Sequence, residues 1–269
     1  RHNFSVLGLQ GISVVNDPGE AFLQRMEPAE MIYLDPSRRD NVGRKVVRIE
    51  ECSPDVSVIR EQLLAKAKLV VIKFSPMLDI SLALKSLGRV SEVHVVSVEN
   101  ECKELLFLLS PDAMATLFHA VNLYRTGKME RFYFSPEEEQ NVEIPFASAV
   151  GSYLYEPNAS ILKAGGFKSV AKRYGVQKLH VNSHLYTSDR PVYDFPGRMF
   201  EVRQWFVPNR QNVKQFLSQT KKANITVRNF PLSVAEIRRK TGLKEGGELY
   251  LFATTVARDT KIWVTGTRL

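Results

Sequence analysis

The first half of the chain alternates short apolar runs, rich in β-branched residues, with stretches whose apolar residues have helical spacing. The apolar runs occupy residues 11–15, 31–34, 69–73 and 93–98. Helical spacing predicts helices over residues 20–25, 56–68 and 80–87. Apolar strands separated by helices are typical of a parallel sheet with crossover helices, so this half is predicted to be α/β.

The rest of this half is predicted to contain two further strands, one helix and one loop. The strands are expected over residues 117–124 and 131–134. Asn100 followed by Glu101 has the character of a helix N-cap with an acidic first turn, so a helix is predicted to start there and to bury Cys102. The acidic run at 136–141 is predicted to be a solvated loop.

The second half follows a different pattern. A helix is predicted from Asn158 to Ala164, a second over residues 167–174 ending at Gly175, and a strand over 178–186. Beyond them the pattern predicts a strand, a helix, a strand, a helix and two strands, at residues 199–206, 209–221, 225–228, 233–241, 248–256 and 261–267. Ser233 and Glu236 form a capping box at the start of the later helix. We expect a small α+β arrangement here.

The composition excludes several classes of protein. The chain has 269 residues, of which 44% are apolar and 25% charged, as expected for a soluble globular protein. No run approaches the roughly 20 apolar residues of a membrane span, and no leader pattern marks secretion. The two cysteines, Cys52 and Cys102, have no CxxC spacing, so we expect neither a disulfide framework nor a metal centre, and a cytoplasmic location.

Charge is distributed unevenly along the chain. Residues 1–150 hold 17 Lys and Arg against 21 Asp and Glu, a net of −4, whereas residues 151–269 hold 20 against 8, a net of +12. Such a surplus in one segment indicates a polyanionic partner, most often nucleic acid. From these shifts in pattern and charge we expect a first domain at 1–143, which the acidic run closes.

Polar and charged side chains follow the predicted strands of the first half. Asn16 and Asp17 follow the first strand, and Asp35 and Pro36 the second. Arg38, Arg39, Lys73 and Ser75 extend this series. Ligands of open parallel sheets bind beyond the carboxyl ends of the strands. A proline stiffens the turn that carries Asp35, and paired arginines can neutralise a carboxylate or clamp an anion.

These motifs resemble a known family. Tyr33–Asp40, Lys73–Ile80 and Asn100–Leu106 are similar to the later part of a class I S-adenosylmethionine-dependent methyltransferase, of a bacterial type with a ferredoxin-like insert and a C-terminal THUMP-like domain. The matching motifs in the second half are His184–Ser188, Phe195–Arg198 and Pro231–Ser233. The fold implied is α/β, a Rossmann-like methyltransferase sheet followed by the two small α+β domains, at 144–198 and 199–269.

The resemblance implies roles for individual residues. Asn16 and Asp17 would contact the adenine of S-adenosylmethionine, and Asp35 would border the same cofactor. Asp35 and Pro36 would hold the target group near the methyl group, with Lys73 and Ser75 beside them. Arg38 and Arg39 would bind phosphate or shape the loop.

The atom that receives the methyl group stays open. Carbon-5 chemistry requires a thiolate, and the loop after the Lys73 strand carries Ser75, so this reaction is disfavoured. Ribose oxygen methylation uses a Lys-Asp-Lys-Glu set, to which Asp35, Lys73 and either Glu99 or Glu101 could belong. Nitrogen methylation, with the Asp35 turn accepting a hydrogen bond from an amine, is equally compatible.

The basic second half is the expected docking surface for RNA. Arg238, Arg239 and Lys240 lie together near the end of a predicted helix, where they could bind phosphates or complement the helix dipole. Five aromatic residues could stack on unpaired bases, although most are expected in the core because they alternate along strands; they are Trp205, Phe206, Phe230, Tyr250 and Phe252. His180 and His184 share a face of the predicted strand but lack further metal ligands. The main hypothesis is an RNA methyltransferase. The alternatives are a non-catalytic RNA-binding protein and a methyltransferase of proteins or small molecules.

One motif of the family is not found in the sequence. No glycine-rich GxG turn occurs in the first half, and the acidic residue expected to hold the cofactor ribose is missing too. If the family assignment holds, the first strands lie upstream of Arg1 and the cofactor pocket is incomplete in this chain.

We therefore predict that this chain alone has negligible affinity for S-adenosylmethionine, because the backbone turn that would hold the methionine part of the cofactor is absent from it. Isothermal titration calorimetry with the isolated chain tests this expectation. A micromolar dissociation constant would contradict it.

Overall fold

The computed structural model describes residues 2–38 and 48–269. The chain divides into two compact units, residues 1–92 with 106–115, and residues 93–105 with 116–269. Among the described residues, no helix combines the length and the apolar character needed to cross a bilayer.

The first half contains helices and strands in alternation. In chain order the elements are α1 (His2–Val6), α2 (Gly19–Arg25), β1 (Ala29–Leu34), β2 (Ser37–Arg38), β3 (Cys52–Ser53), α3 (Val56–Lys66), β4 (Ala67–Phe74), α4 (Ile80–Leu87), β5 (Val90–Val98), β6 (Glu101–Leu109), β7 (Leu117–Leu123), β8 (Met129–Phe134) and α5 (Pro136–Asn141). Over the described residues, six of these strands form one sheet in the order β1-β4-β6-β5-β7-β8.

The second half is a mixture of short helices and strands. Its elements are β9 (Tyr153–Pro157), α6 (Ala159–Ala164), α7 (Phe167–Tyr174), β10 (Gln177–Lys178), β11 (Tyr186–Ser188), β12 (Gly197–Phe206), α8 (Arg210–Gln219), β13 (Asn224–Arg228), α9 (Val234–Thr241), β14 (Leu249–Val256) and β15 (Thr260–Arg268). In the described part of the chain, seven strands form a second sheet in the order β10-β11-β9-β12-β15-β14-β13.

The predicted α/β class is confirmed, but the first sheet is mixed rather than parallel. Strand β1, which stands first in the strand order of the described residues, pairs in parallel with β4, whereas β7 and β8 are antiparallel. The two strands run in parallel with Met31 opposite Leu69 and Leu34 opposite Ile72. Helix α3 connects them, as a parallel crossover requires. Val70 and Ile72 in β4 are fully buried on one face, and Leu69 and Val71 on the other face are partly buried, which agrees with the nearly continuous apolar run of this strand.

The predicted helix after Asn100 is wrong, because this segment is strand β6. Glu99 and Asn100 have positive φ angles of 51° and 63°, which makes them a two-residue hairpin turn rather than a helix start. The backbone N–H of Asn100 donates to the side chain of Asn122 at 3.0 Å. Leu105 and Phe107, two residues apart, are both fully buried, as on one face of a strand. This period of two was overlooked because Asn100 and Glu101 resemble a helix start. Cys102 therefore lies in a strand.

The remaining errors concern three segments. Residues 11–15 form no strand, and Ile12 and Val15 in that run are exposed. The acidic run at 136–141 is helix α5, with Ser135 as N-cap and Pro136 in the first turn. Residues 178–186 are not one strand, since β10 ends at residue 178 and β11 begins at residue 186.

The second sheet has a core cluster on each face. The first cluster comprises Ala147, Val150, Leu154, Leu179, Leu185, Phe200, Phe252, Ile262 and Val264. The second cluster comprises Phe216, Ala223, Ile237, Leu243, Leu251, Ala253 and Trp263. Strand β14 supplies Phe252 to the first cluster and Leu251 and Ala253 to the second. Because side chains alternate along a strand, one strand thus serves both faces.

A β-bulge lets β12 serve both clusters as well. The register between β12 and β15 shifts between Val202 and Gln204. Phe200 packs in the first cluster before the bulge. After it, Phe206 lies opposite Trp263 and packs against the second cluster. One extra residue reverses which face a strand presents.

The Phe195–Arg198 motif lies where β9 pairs with β12. The motif leads into β12 and runs beside the end of β9, so that Arg198 lies opposite Glu156. A Cβ at Gly197 would lie 2.2 Å from the carbonyl oxygen of Glu156, a separation that no side chain tolerates. The Asn158 N–H donates to the Pro196 carbonyl at 3.1 Å. The glycine is therefore required for the strands to approach.

We predict that Gly197→Ala lowers the free energy of unfolding by about 3 kcal/mol, because the clash is with backbone and can be relieved only by moving a strand. Urea denaturation followed by circular dichroism measures the change. Gly19→Ala is the matched control, since a Cβ there meets nothing within 4 Å. Equal midpoints for the two variants would contradict the prediction.

Candidate functional site

Asp35 and Lys73 come together at the carboxyl ends of β1 and β4. Their positions follow directly from the parallel register, in which Leu34 lies opposite Ile72. The Lys73 Nζ is 2.7 Å from Asp35 Oδ2, with the two side chains 28% and 55% exposed. An ion pair this open to solvent adds little to stability, typically about 0–1 kcal/mol. The pair therefore presents charge to whatever binds there.

An apolar cleft of about 380 Å³ lies beside this carboxylate. Asp35 is the acidic residue in its lining, and Pro36 follows on the stiffened turn. The apolar lining consists of Phe22, Leu23, Met26, Met31, Ile32, Tyr33, Leu34, Pro36, Pro54, Ile59 and Leu63. Clefts with apolar walls and few polar groups are typical of small-molecule sites. A flat ring could lie against these walls with its polar edge on Asp35.

Ser75 lies in the turn that follows β4, at the same end of the strand as Lys73. Its hydroxyl accepts a hydrogen bond from the Met77 N–H at 3.3 Å, and its carbonyl accepts one from the Leu78 N–H at 3.1 Å. Asp79 then caps α4 by accepting from the Leu82 N–H at 2.9 Å. The structure thus places Ser75 where the sequence predicts, although its hydroxyl has a role in the turn itself.

Asn16 and Asp17 do not lie at a strand end, because residues 11–15 form no strand. The carboxylate of Asp17 forms an ion pair with Arg25 at the end of α2. Arg25 also lies over the Phe22 ring, 5.4 Å from its centroid. The expected strand-end position of Asp17 is therefore wrong, and its charge is engaged locally.

The two arginines of the Asp-Pro motif belong only in part to the described structure. The side chain of Arg38 and the whole of Arg39 lie outside the described residues. Ser37 begins β2, which pairs with β3 so that Ser37 lies opposite Ser53.

The contacts of Glu99 and Glu101 lie within the β5–β6 hairpin and the turn next to it. The Glu99 carboxylate accepts a hydrogen bond from the Arg125 N–H at 2.6 Å. The Glu101 carboxylate lies 2.7 Å from the Lys103 ammonium. Both carboxylates are engaged within the hairpin and its neighbouring turn, so these contacts give no support to a fourth catalytic member.

The thiol of Cys102 is suited to packing. Burial raises its pKa above the usual thiol value, an effect that a hydrogen bond with Ser97 only partly offsets. Burial of this kind keeps the thiol protonated and poorly nucleophilic.

The basic residues at the end of α9 have different environments. Arg238 donates to the carbonyl oxygens of Leu243 at 3.1 Å and Ala223 at 3.3 Å, so its guanidinium ties the helix end to adjacent loops. Arg239 and Lys240 are exposed. Of the aromatic residues, Trp205 is 45% exposed, whereas Phe206 packs against the second core cluster.

The two neighbouring histidines have separate surroundings in the loop between β10 and β11. His180 contacts the Asn229 amide at 3.1 Å and Asp259 at 3.2 Å. His184 stacks on Phe167 with ring centroids 3.7 Å apart. Burial, aided by the charges of Lys178 and Arg228, lowers the His184 pKa to about 4. His184 is therefore neutral near pH 7.

A buried ion cluster in the second half was not found by sequence reasoning. The Glu156 side chain is 2% exposed and contacts both Arg198 and Arg228. Sequence spacing gives no signal for it, because the three residues come from strands far apart in the chain. A glutamate within the apolar run of β9 was the available signal, since a buried acid needs a partner.

Family models match two consecutive segments of the second half. Residues 153–196 match the family model of a ferredoxin-like domain, and residues 197–268 match that of a THUMP-like domain. Among curated proteins none matches the chain.

A solved structure is similar over most of the chain. It is the crystal structure of a "putative methyltransferase" from Porphyromonas gingivalis W83, with 37% sequence identity and a TM-score of 0.80. The match covers 88% of this chain and 59% of that one, so this chain spans somewhat more than half of the longer protein. The chain therefore carries a Rossmann-like sheet, a ferredoxin-like domain and a THUMP-like domain, and it shares the fold of a structure described as a methyltransferase.

Proposed function

We propose that this chain is part of an S-adenosylmethionine-dependent methyltransferase that acts on RNA, at nitrogen or ribose oxygen rather than carbon-5. The observation that carries the proposal is the contact between Asp35 and Lys73 at the carboxyl ends of neighbouring parallel strands, beside an apolar cleft. The similarity to a structure described as a methyltransferase supports the reaction class. The THUMP-like domain and the basic charge of residues 151–269 support RNA as substrate.

The described residues fit the proposed cofactor in part. The apolar wall of the cleft, next to the Asp35 carboxylate, suits an aromatic ring or a thioether, whereas Asp17 does not fit the adenine role because Arg25 holds its carboxylate. When bound, the cofactor supplies the electrophilic methyl group.

Asp35 acts in the proposed mechanism by accepting a hydrogen bond from the acceptor group. A carboxylate that accepts an N–H bond holds an amino group in a fixed orientation, with its remaining lone pair free to face the methyl group. Pro36 restricts the turn and so keeps that orientation. In the observed contact the Lys73 ammonium faces the Asp35 carboxylate. A protonated lysine can stabilise charge but cannot act as a base. The contact therefore favours a nitrogen acceptor.

We predict that Asp35→Asn lowers the methylated nucleoside by roughly 100-fold, since a misplaced or weakened hydrogen-bond acceptor costs the reaction that much or more. The measurement is mass spectrometry of nucleosides from RNA of cells in which the deleted gene is complemented by each variant. Glu30→Gln is the matched control. Glu30 lies on the same strand and its Oε1 is 3.0 Å from Lys68, but at the opposite end of β1 and β4.

A second pair of variants separates charge from packing. Lys73→Met is expected to lower methylation strongly, because Lys73 contacts Asp35. Lys68→Met is expected to leave methylation unchanged, because Lys68 contacts Glu30 at the other end of the strands. The two variants are matched, since each replaces a lysine of β4 by an uncharged side chain of similar volume. If deleting the gene leaves every modified nucleoside unchanged, the RNA methyltransferase proposal is wrong. A non-catalytic RNA-binding protein, or a methyltransferase of other substrates, is then the better hypothesis.

A further inference from the structure

The Glu156 carboxylate holds two arginines side by side. Arg198 donates from Nε to Glu156 Oε2 at 2.8 Å and also from Nη2 to the same oxygen. Arg228 donates from Nη2 to Oε1 at 2.8 Å. Each guanidinium therefore occupies one oxygen of the same carboxylate, which fixes both in position and brings them close together.

The sheet must curl to bring these residues together. Glu156 lies on β9 and Arg228 on β13, with β12, β15 and β14 between them in the sheet order. Four strand spacings in a flat sheet would span about 19 Å, too far for this direct contact. The cluster is therefore a product of the tertiary fold.

Positive charge exceeds negative charge at this place. Two arginines surround one carboxylate, and Lys178 lies near enough, with Arg228, to lower the pKa of His184. Burial lowers the pKa of Lys178 itself to about 8, although the charge of Glu139 opposes this effect. Lys178 and Glu139 offset each other, so the surplus is that of the two arginines over Glu156. His184 adds no charge there. The Arg198 and Arg228 side chains are 26% and 38% exposed, so this surplus reaches solvent.

Several polar atoms of the cluster have no hydrogen-bond partner. Among the described residues these include Arg228 Nε, His184 Nδ1 and Thr254 Oγ1, all of them buried atoms. Thr254 is fully buried and lies directly opposite Arg228 in the pairing of β13 with β14, so the two side chains share one face. Buried polar groups without partners are uncommon because each costs about 1–3 kcal/mol. These enclosed atoms do not themselves reach a ligand, so the donors available to one are those of the partly exposed Arg198 and Arg228 guanidinium groups.

We propose that Arg198 and Arg228, oriented by Glu156, bind a phosphate group of the RNA backbone. Guanidinium groups present their donors in a planar fork that matches phosphate oxygens. Glu156 keeps the two forks in place before RNA arrives, which reduces the ordering cost of binding. This proposal rests on the proposed function. It extends that function by naming the place where the second half contacts RNA.

The test measures binding of a fluorescently labelled single-stranded RNA to this full chain at several KCl concentrations. We expect Arg228→Gln to weaken binding about 10-fold and to reduce the slope of log affinity against log salt by about 0.7, as loss of one phosphate contact requires. Lys172→Gln is the matched control. It removes one charge from an exposed lysine on α7 and is expected to change affinity less than about 2-fold.

Arg228→Lys guards against a folding artefact. It keeps the charge but loses the fork, so we expect it to bind RNA more weakly than the wild-type chain while melting at a similar temperature. A second measurement, with inorganic phosphate as the probe, distinguishes a general anion site from a site that requires a polynucleotide. Protection by phosphate of the wild-type chain against thermal unfolding, absent in Arg228→Gln, would support the shared phosphate chemistry.

Two outcomes would overturn the proposal, and they differ. If the wild-type chain binds RNA with a steep salt slope and both Arg228 variants behave as Lys172→Gln does, the arginines are purely structural and RNA binds elsewhere. If the wild-type chain binds no RNA even at low salt, this site is wrong, while the nucleoside measurements on Asp35 still decide the reaction.

Discussion

The second half of the molecule depends on keeping one carboxylate charged in a place from which water is excluded. Glu156 is 2% exposed, and an unpaired ion in such surroundings would cost several kcal/mol. Compensation comes from Arg198 and Arg228, which belong to the segment matched as THUMP-like, whereas Glu156 belongs to the ferredoxin-like segment. Since the arginines and the acid lie on different strands of one sheet, the ion cluster forms only when both segments are folded. The two domains thus share a sheet, a first core cluster and a polar centre.

The first half shows why an ion pair alone does not identify a site. Strands β1 and β4 carry a carboxylate and a lysine in contact at each end, Glu30 with Lys68 and Asp35 with Lys73. Both pairs are open to solvent and contribute little to stability. They differ in their surroundings. The Asp35 carboxylate lines the apolar cleft next to a turn restricted by Pro36, whereas Glu30 and Lys68 line a separate cleft of about 340 Å³ that also contains Lys66. The combination of charge, rigidity and an apolar wall, rather than the salt bridge, indicates chemistry.

Local signals in the sequence predicted local structure well. Helix α4 begins and ends at the residues that its periodicity predicts. Ser233 and Glu236 form the predicted capping box, with both of its hydrogen bonds present. The contact of Asp35 with Lys73 was also within reach, because parallel strands align their carboxyl ends. The sequence did not predict features that depend on residues far apart in the chain. Asn100 has the composition of an N-cap, yet two positive φ angles turn the chain back into a strand, and nothing near Glu156 in the sequence shows which arginines will cover it.

Net charge read from a sequence overstates the potential at the surface. The +12 of residues 151–269 includes arginines whose guanidinium groups serve the fold. Arg238, for example, closes a helix end by donating to two carbonyl oxygens. Charges of this kind attract a polyanion only to the extent that they remain accessible. A phosphate-binding surface is therefore better located by asking which cations are both fixed in position and still open to solvent. Arg228 meets both conditions, because Glu156 holds one edge of its guanidinium while 38% of its side chain faces water.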